Sequence, residues 1–277
     1  MALGNVTVKE AWSPRWEWGG ASQLGGRHEQ QDRWGVFTTP PGDGLLAVVA
    51  DGLGGHRDGA LGAQAVMDAA ATVVRERTEL LHTQPAEALA LLCSDAQAAV
   101  VAASAKAHST VVALWLHQNH VYWMHVGDSR FYHLRAGSRL ARTRDHSAAQ
   151  ILIDLGEISE AEVANHPDQS RLYRSLGGAK LPKPDIGSGA ILPDDVLVLC
   201  SDGFWEYISE TELWEATCHG QLSALANVLV EQAVVRGGQQ ADNATLVLIR
   251  PLERSLVKRS WWRRLINRGR YEESHSH

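Results

Sequence analysis

Residues 45–50, Leu45-Leu46-Ala47-Val48-Val49-Ala50, form an apolar run with no polar interruption. An unbroken run of this length, rather than an alternating one, predicts a strand buried on both faces. It stops at Asp51-Gly52, Gly54-Gly55-His56 follows, and a helical pattern takes over from residue 59. That pattern, over residues 59–81, places Ala65, Val66, Ala69, Ala70, Val73 and Val74 at helical spacing. A second helix is predicted over residues 85–107, opened by Pro85, which is well tolerated in a first helical turn. Both segments are rich in alanine and suit a closely packed antiparallel pair.

Before the central run, residues 6–12 and 16–18 alternate in the manner of strands, and residues 21–24 continue the second of these. Residues 25–32 read as a polar loop and residues 34–38 as another strand. The turn cluster Pro40-Pro41-Gly42-Asp43-Gly44 then leads into the central run. A link this short makes the two strands antiparallel neighbours, which carries Asp32 toward Asp51. Further on, residues 109–117 and 120–126 are strands joined by Gln118-Asn119 as a hairpin. Strands over 131–135 and 139–142 follow, then a helix over 148–155 capped by Ser147 or Asp145. Residues 158–184 show no sustained period and are expected to form a functional flap. A strand at 196–200, helices at 210–218 and 222–235, and a strand at 244–249 close the body.

Four aspartates share one setting. Asp51, Asp128, Asp202 and Asp242 each sit where an apolar segment ends or begins, beside a small residue or Asn, and Asp32 has a weaker version before Trp34. Buried without partners, such carboxylates would cost several kcal/mol each. If they converge, oxygen-ligated hard cations, Mg²⁺ or Mn²⁺, neutralise them most economically. Zinc is disfavoured there, because the chain has no Cys or His spacing of the zinc type. Two ions sharing one carboxylate would suit attack on phosphorus, with Arg27 as an anion clamp.

Composition narrows the field. The 277 residues carry a net charge of −6, but the segment 251–277 holds seven Lys/Arg and three Glu, a net +4, leaving the body at −10. Such a body is a poor general nucleic-acid binder, and an acidic cleft that attracts cations suits it better. The three cysteines have no paired or ligand spacing, and Cys93 and Cys200 are expected as buried thiols in a reducing compartment. The N-terminus has no apolar leader, no apolar window of membrane-spanning length is evident, and the protein is expected to be a cytoplasmic monomer.

The ordered set RHEQQD, DGLGGHRDG, VGDSRFYHLR, DHS, LCSDG and DNAT resembles the metal-dependent protein phosphatases of the type 2C family in their bacterial form, over residues 20–249. The resemblance implies an α+β fold, a four-layer α-β-β-α sandwich of two antiparallel sheets flanked by helices, with the metal site at one end. It implies one phosphatase domain over residues 1–250 and hydrolysis of phosphoserine and phosphothreonine by a hydroxide held between two Mn²⁺ or Mg²⁺ ions, in opposition to a Ser/Thr kinase. A non-catalytic, phosphoprotein-binding relative of the same fold is the alternative. Residue by residue, Asp51 resembles the carboxylate that bridges both ions, and the Gly52 carbonyl resembles a ligand of one. Asp202 and Asp242 resemble the remaining direct ligands, Asp128 the ligand of a third ion, Asp32 the acid that orients water, and Arg27 the phosphate-binding arginine.

The chain also departs from the family pattern. Gln30 stands where Asn is common and is expected only to shape the loop. Gln31 replaces a frequent Glu, which implies weaker metal affinity and a greater Mn²⁺ requirement. Leu53 stands where animal members carry a histidine proposed as general acid, and His56 and His146 are taken as structural. The tail 258–270 mixes six basic residues with Trp261, Trp262, Leu265 and Ile266, and is expected to be a solubilising end rather than a membrane-docking helix.

Overall fold

The computed structural model describes residues 16–252 apart from 41, 55 and 219. The strand expected at 6–12 and the basic tail from residue 253 lie outside the described residues.

Two antiparallel sheets are built from β1 (Trp16–Gln23), β2 (Asp32–Thr38), β3 (Gly44–Leu53), β4 (His108–Ser109), β5 (Val111–His117), β6 (His120–Val126), β7 (Arg130–Arg135), β8 (Ser138–Arg142), β9 (Asp185–Ala190), β10 (Val196–Cys200) and β11 (Ala244–Pro251). One sheet has the order β1-β11-β10-β7-β8 and the other β2-β3-β5-β6-β9, with β4 paired to the end of β3. Helices α1 (His56–Glu76), α2 (Thr78–Thr83) and α3 (Pro85–Ala103) cover the outer face of the second sheet. Helices α5 (Asp202–Trp205), α6 (Glu210–Thr217) and α7 (Leu222–Gly237) cover that of the first, and α4 (Ala148–Asp154) leads into the excursion over 158–184. The result is the expected α-β-β-α sandwich.

The central run shows why it has no polar alternation. Leu45, Ala47 and Val49 of β3 point between the sheets, where they meet Leu114 of β5 and Leu197 of β10. Leu46, Val48 and Ala50 point the other way, onto Val66 and Ala70 of α1 and Leu89 and Leu92 of α3. Strands β10 and β11 repeat this division: Val198 and Leu248 face α7, while Leu199 and Val247 face the inter-sheet core. Both faces of these strands are dry along their middle, so the residues there are apolar.

Several elements differ from the sequence expectations. The first helix ends at Glu76, because Arg77 adopts a non-helical φ of −127° and a short separate helix α2 follows. No Gly or Pro marks that break. The strand expected over 109–117 is split at Thr110 into β4 and β5. Strand β9, DIGSGA, has too little apolar content to show a period, and it pairs with β6 at a sheet edge. Asp202 opens the short helix α5 rather than a loop. Ser147 is the residue that caps α4, accepting the Gln150 amide. Contrary to expectation, α3 is long and apolar enough to span a membrane by length and composition. Its buried face, with Ala88, Leu89, Leu92, Cys93, Ala96 and Val100, packs instead in the core beside α1. Cys93 and Cys200 are buried thiols, as expected.

The inter-sheet layer sets the stability of the frame. Truncating the fully buried Leu114 to Ala is expected to lower unfolding free energy by about 2–5 kcal/mol, whereas Leu155→Ala, at an exposed position, shifts it by no more than ~0.5 kcal/mol. Urea denaturation of the two variants checks the contrast.

Candidate metal centre

The short turn between β2 and β3 sets an antiparallel register in which Asp32 lies directly opposite Asp51. Asp51 is two residues from the end of β3. Asp128 occupies the break between β6 and β7, after Gly127, whose φ of +108° is a conformation that residues with a Cβ rarely adopt. Asp202 follows β10 and Asp242 precedes β11. Strand ends from both sheets therefore deliver the carboxylates to one end of the sandwich.

Asp51, Asp128 and Asp202 each bring a carboxylate oxygen within 4.8 Å of the others. Asp242 stands outside this triad, in an ion pair with Arg27 at 2.5 Å. Arg27 is 58% exposed, so its guanidinium sits at the mouth of the recess rather than inside it. Gly52 follows Asp51, and its backbone packs against Gly59 of α1 so closely that a Cβ would lie 2.0 Å from the Gly59 carbonyl oxygen. No side chain larger than hydrogen fits at that junction.

Hydroxyl groups hold the carboxylates in place. Thr110 Oγ1 receives the Asp51 amide at 3.0 Å and lies 2.7 Å from Ser129 Oγ, tying the strand that carries Asp51 to the residue after Asp128. Asp32 Oδ2 accepts from Ser201 Oγ at 2.6 Å and Thr245 Oγ1 at 2.7 Å, so a carboxylate of one sheet is fixed by two hydroxyls of the other. The Gln30 side chain accepts the Asp32 amide at 2.9 Å and donates to Ser22 at 2.8 Å, which is the loop-shaping role expected of it. Trp205 Nε1 donates to the Asp128 carbonyl at 3.0 Å, and the Arg130 guanidinium stacks 3.4 Å over the Trp205 ring while making a bidentate pair with Asp145, Nε to Oδ1 and Nη2 to Oδ2.

Burial and mutual repulsion govern the charge state. Burial, then the charge of Asp202, pushes Asp51 well above the ordinary carboxylate range. Asp128 is raised the same way, by burial and then by Asp202. Burial lifts Asp32 to about 7 despite its two hydroxyl donors, and burial with the Asp242 charge lifts Asp202 to about 6. Among the described residues no Lys, Arg or His pairs with Asp51, Asp128 or Asp202. One oxygen each of Asp32 and Asp128 is buried with no hydrogen-bond partner. An oxygen-rich, anionic, under-satisfied donor set is what hard divalent cations require, so the residues fit such ions.

One member of this group was missed in the sequence. Glu206, at the C-terminal end of α5, is raised to about 8 by burial and by the charges of Asp202 and Asp242. Its only sequence signal is a place one helical turn after Asp202, on the same helix face. His146 is structural, as expected: its Nδ1 accepts the Gly127 amide at 3.0 Å and its ring stacks 4.5 Å from His125. Burial, then the His125 charge, lowers it to about 4. In the excursion, Arg174 is committed to Asp185 at 3.0 Å and to the Lys183 carbonyl, whereas Arg171 is exposed.

Comparisons with known proteins bear on the family and the fold. The family model for protein phosphatase 2C matches residues 19–236. The serine/threonine phosphatase stp of Listeria monocytogenes is 32% identical over 241 residues, covering 84% of this chain and 93% of its own. The catalytic domain of the serine/threonine protein phosphatase PstP, solved in complex with two manganese ions, superposes with a TM-score of 0.72 at 26% identity, covering 86% of this chain and 99% of that one. PppA, described as a key regulatory component of T6SS in Pseudomonas aeruginosa, has a TM-score of 0.64 at 28% identity, with 86% and 98% covered.

The raised carboxylates predict a pH signature. From the ordinary values of 3.8 and 4.5 up to about 8, the folded chain retains protons on Asp32, Asp202 and Glu206 that the unfolded chain has released. Stability in EDTA is therefore expected to fall as pH rises through that window. With saturating Mn²⁺ the slope reverses, since ions bind deprotonated ligands and displace those protons. Urea denaturation in EDTA between pH 5 and 8 checks it; stability that rises with pH in the chelator contradicts the assignment.

Proposed function

The chain belongs to the protein phosphatase 2C family of metal-dependent serine/threonine phosphatases, and from that premise we propose that its substrates are proteins modified by a Ser/Thr kinase and that Mn²⁺ or Mg²⁺ serves its acidic recess. The observation that carries the assignment of the site is the convergence of Asp51, Asp128 and Asp202 with no cationic partner among the described residues. Asp51 would bridge two ions, the Gly52 carbonyl would serve one of them, Asp202 and Asp242 the other, and Asp128 a third. The manganese in the PstP relative supports Mn²⁺ as the working ion. When bound, such ions make hydroxide available at neutral pH and offset charge on the phosphoryl oxygens.

The chain's own groups supply the remaining requirements. Asp32 is immobilised through Oδ2 by Ser201 and Thr245, leaving Oδ1 to accept a proton from, and so aim, an attacking water. Asp32 would be held in its carboxylate form by ions in the recess, ready to take that proton. Arg27 presents a planar guanidinium at the mouth of the recess, where it matches two oxygens of an incoming phosphoryl group; that group competes with Asp242 for it. Arg171, exposed on the excursion, would meet the peptide around the phosphorylated residue. A signalling role is in keeping with that of PppA, a regulatory component of T6SS.

Hydrolysis of an aryl phosphate and of a phosphothreonine peptide tests this. Activity is expected with Mn²⁺ and absent in EDTA. Asp51→Ala should lower kcat by more than the ~100-fold that loss of an outer metal-site partner typically causes. Arg27→Ala should lower kcat/KM by roughly 10- to 100-fold, the worth of a charged hydrogen bond to phosphate. Turnover that survives chelation or Asp51→Ala overturns the mechanism, and an inert but phosphoprotein-binding chain would restore the non-catalytic alternative.

A further inference from the structure

A second set of metal-ligating side chains lies at the opposite end of β3. Asp43, in the turn just before β3, is eight residues from Asp51, or roughly 26 Å along an extended strand. Asp43, His82 of α2 and His117 at the end of β5 each offer a ligand atom, and these atoms all lie within 4.8 Å of one another. His117 reaches the turn because it pairs with Gly44 in the sheet. The three residues are far apart in sequence, so no ligand spacing announces them.

The hydrogen bonding around His82 sets its tautomer. His82 Nδ1 lies 2.7 Å from the Thr78 carbonyl, an atom that can only accept, so Nδ1 carries the proton. In the neutral ring the Nε2 lone pair then faces Asp43 Oδ1 at 3.2 Å, lone pair against carboxylate. A ring N–H donated to a backbone carbonyl, with the other nitrogen directed at a shared point, is the usual arrangement of a ligating histidine. An imidazolium at His82 would satisfy Asp43 but leaves the second histidine without a role. His117 Nδ1 is buried with no hydrogen-bond partner, and its ring centroid is 4.6 Å from that of His82. Packing holds the geometry: the Trp115 ring meets His82 edge-on at 5.2 Å, and Thr39 Oγ1 donates to Asp43 Oδ1 at 3.3 Å.

We propose that Asp43, His82 and His117 form a transition-metal site of the zinc class, separate from the phosphatase centre, that ties α2 to the ends of β3 and β5. Two imidazoles and one carboxylate suit Zn²⁺ and exclude Mg²⁺, which favours all-oxygen sites. Ligands of a tetrahedral ion with bonds of 2.0–2.2 Å stand ~3.4 Å apart, so the Asp43–His82 pair is already at that spacing and His117 closes by a small side-chain adjustment. The water left to fill the fourth position makes the site open at the half-exposed surface.

Zn²⁺ affinity of the full chain, stripped with EDTA and titrated against a chromophoric chelator, tests the proposal. The wild type should bind Zn²⁺ at the acidic recess and at this site, an Asp51→Asn/Asp202→Asn chain at this site alone, and His82→Gln and His117→Gln should each weaken this site by more than ~100-fold. Co²⁺ should give the visible absorption of a nitrogen-ligated ion in the first two chains and lose it in the histidine variants. Unchanged Mn²⁺-dependent phosphatase activity in those variants shows that they fold, and Asp43→Asn replaces either one that does not. Zinc affinity and Co²⁺ spectra that ignore both histidines, or that vanish in the Asp51→Asn/Asp202→Asn chain, overturn the proposal, as does a wild type that binds no zinc. The zinc affinities and Co²⁺ spectra do not depend on the phosphatase assignment, which enters only through the check on folding.

Discussion

Like charges held close in a recess repel one another, and much of this molecule is arranged to keep that from opening the fold. Asp51, Asp128 and Asp202 converge with no ion-pair partner among the described residues, and each is driven toward protonation by burial first and by its neighbours second. A single strand could not hold them there. The triad draws one residue from β3, one from the β6–β7 break and one from the start of α5, so the sandwich of two sheets is what brings the charges together. Its dry inter-sheet layer, with Leu114, Leu197 and Val247, supplies the stability that the charged end subtracts.

Around the carboxylates a layer of neutral donors makes the geometry rigid without cancelling the charge. Ser201 and Thr245 fix Asp32 across the gap between sheets, and Thr110 and Ser129 couple Asp51 to the segment of Asp128. Hydroxyls do this where lysines would not, because they orient an anion and leave it able to bind a divalent ion. Arginines are placed farther out. Arg130 is spent on Asp145 and Trp205, and Arg27 waits at the entrance on Asp242.

The same economy explains the contrast between the two ends of β3. At the end carrying Asp51 the donors are all oxygen and the recess calls for hard ions. At the end carrying Asp43 two imidazoles join one carboxylate, and the preference shifts to softer, borderline ions. One strand thus separates two chemistries that would compete for the same metals if their ligands were mixed.

The central strand, the hairpin pairing of Asp32 with Asp51 and the grouping of strand-end aspartates were legible in the sequence, because each rests on local signals: an unbroken apolar run, a short turn, a carboxylate where apolar residues stop. The resemblance in motif order supplied the layered architecture. Other features had no local signature. The break at Arg77 lacks a Gly or Pro, β9 is too polar to show a period, and Glu206 looks like any surface glutamate until α5 turns it toward Asp202 and Asp242. Asp43, His82 and His117 meet only because β5 pairs with β3 and α2 lies against the ends of both strands. Sequence by itself determined which segments must be dry and which carboxylates end them, since periodicity and turn chemistry act over a few residues. Only the tertiary structure decided which distant side chains share a point in space, because pairing of strands far apart in the chain sets those distances.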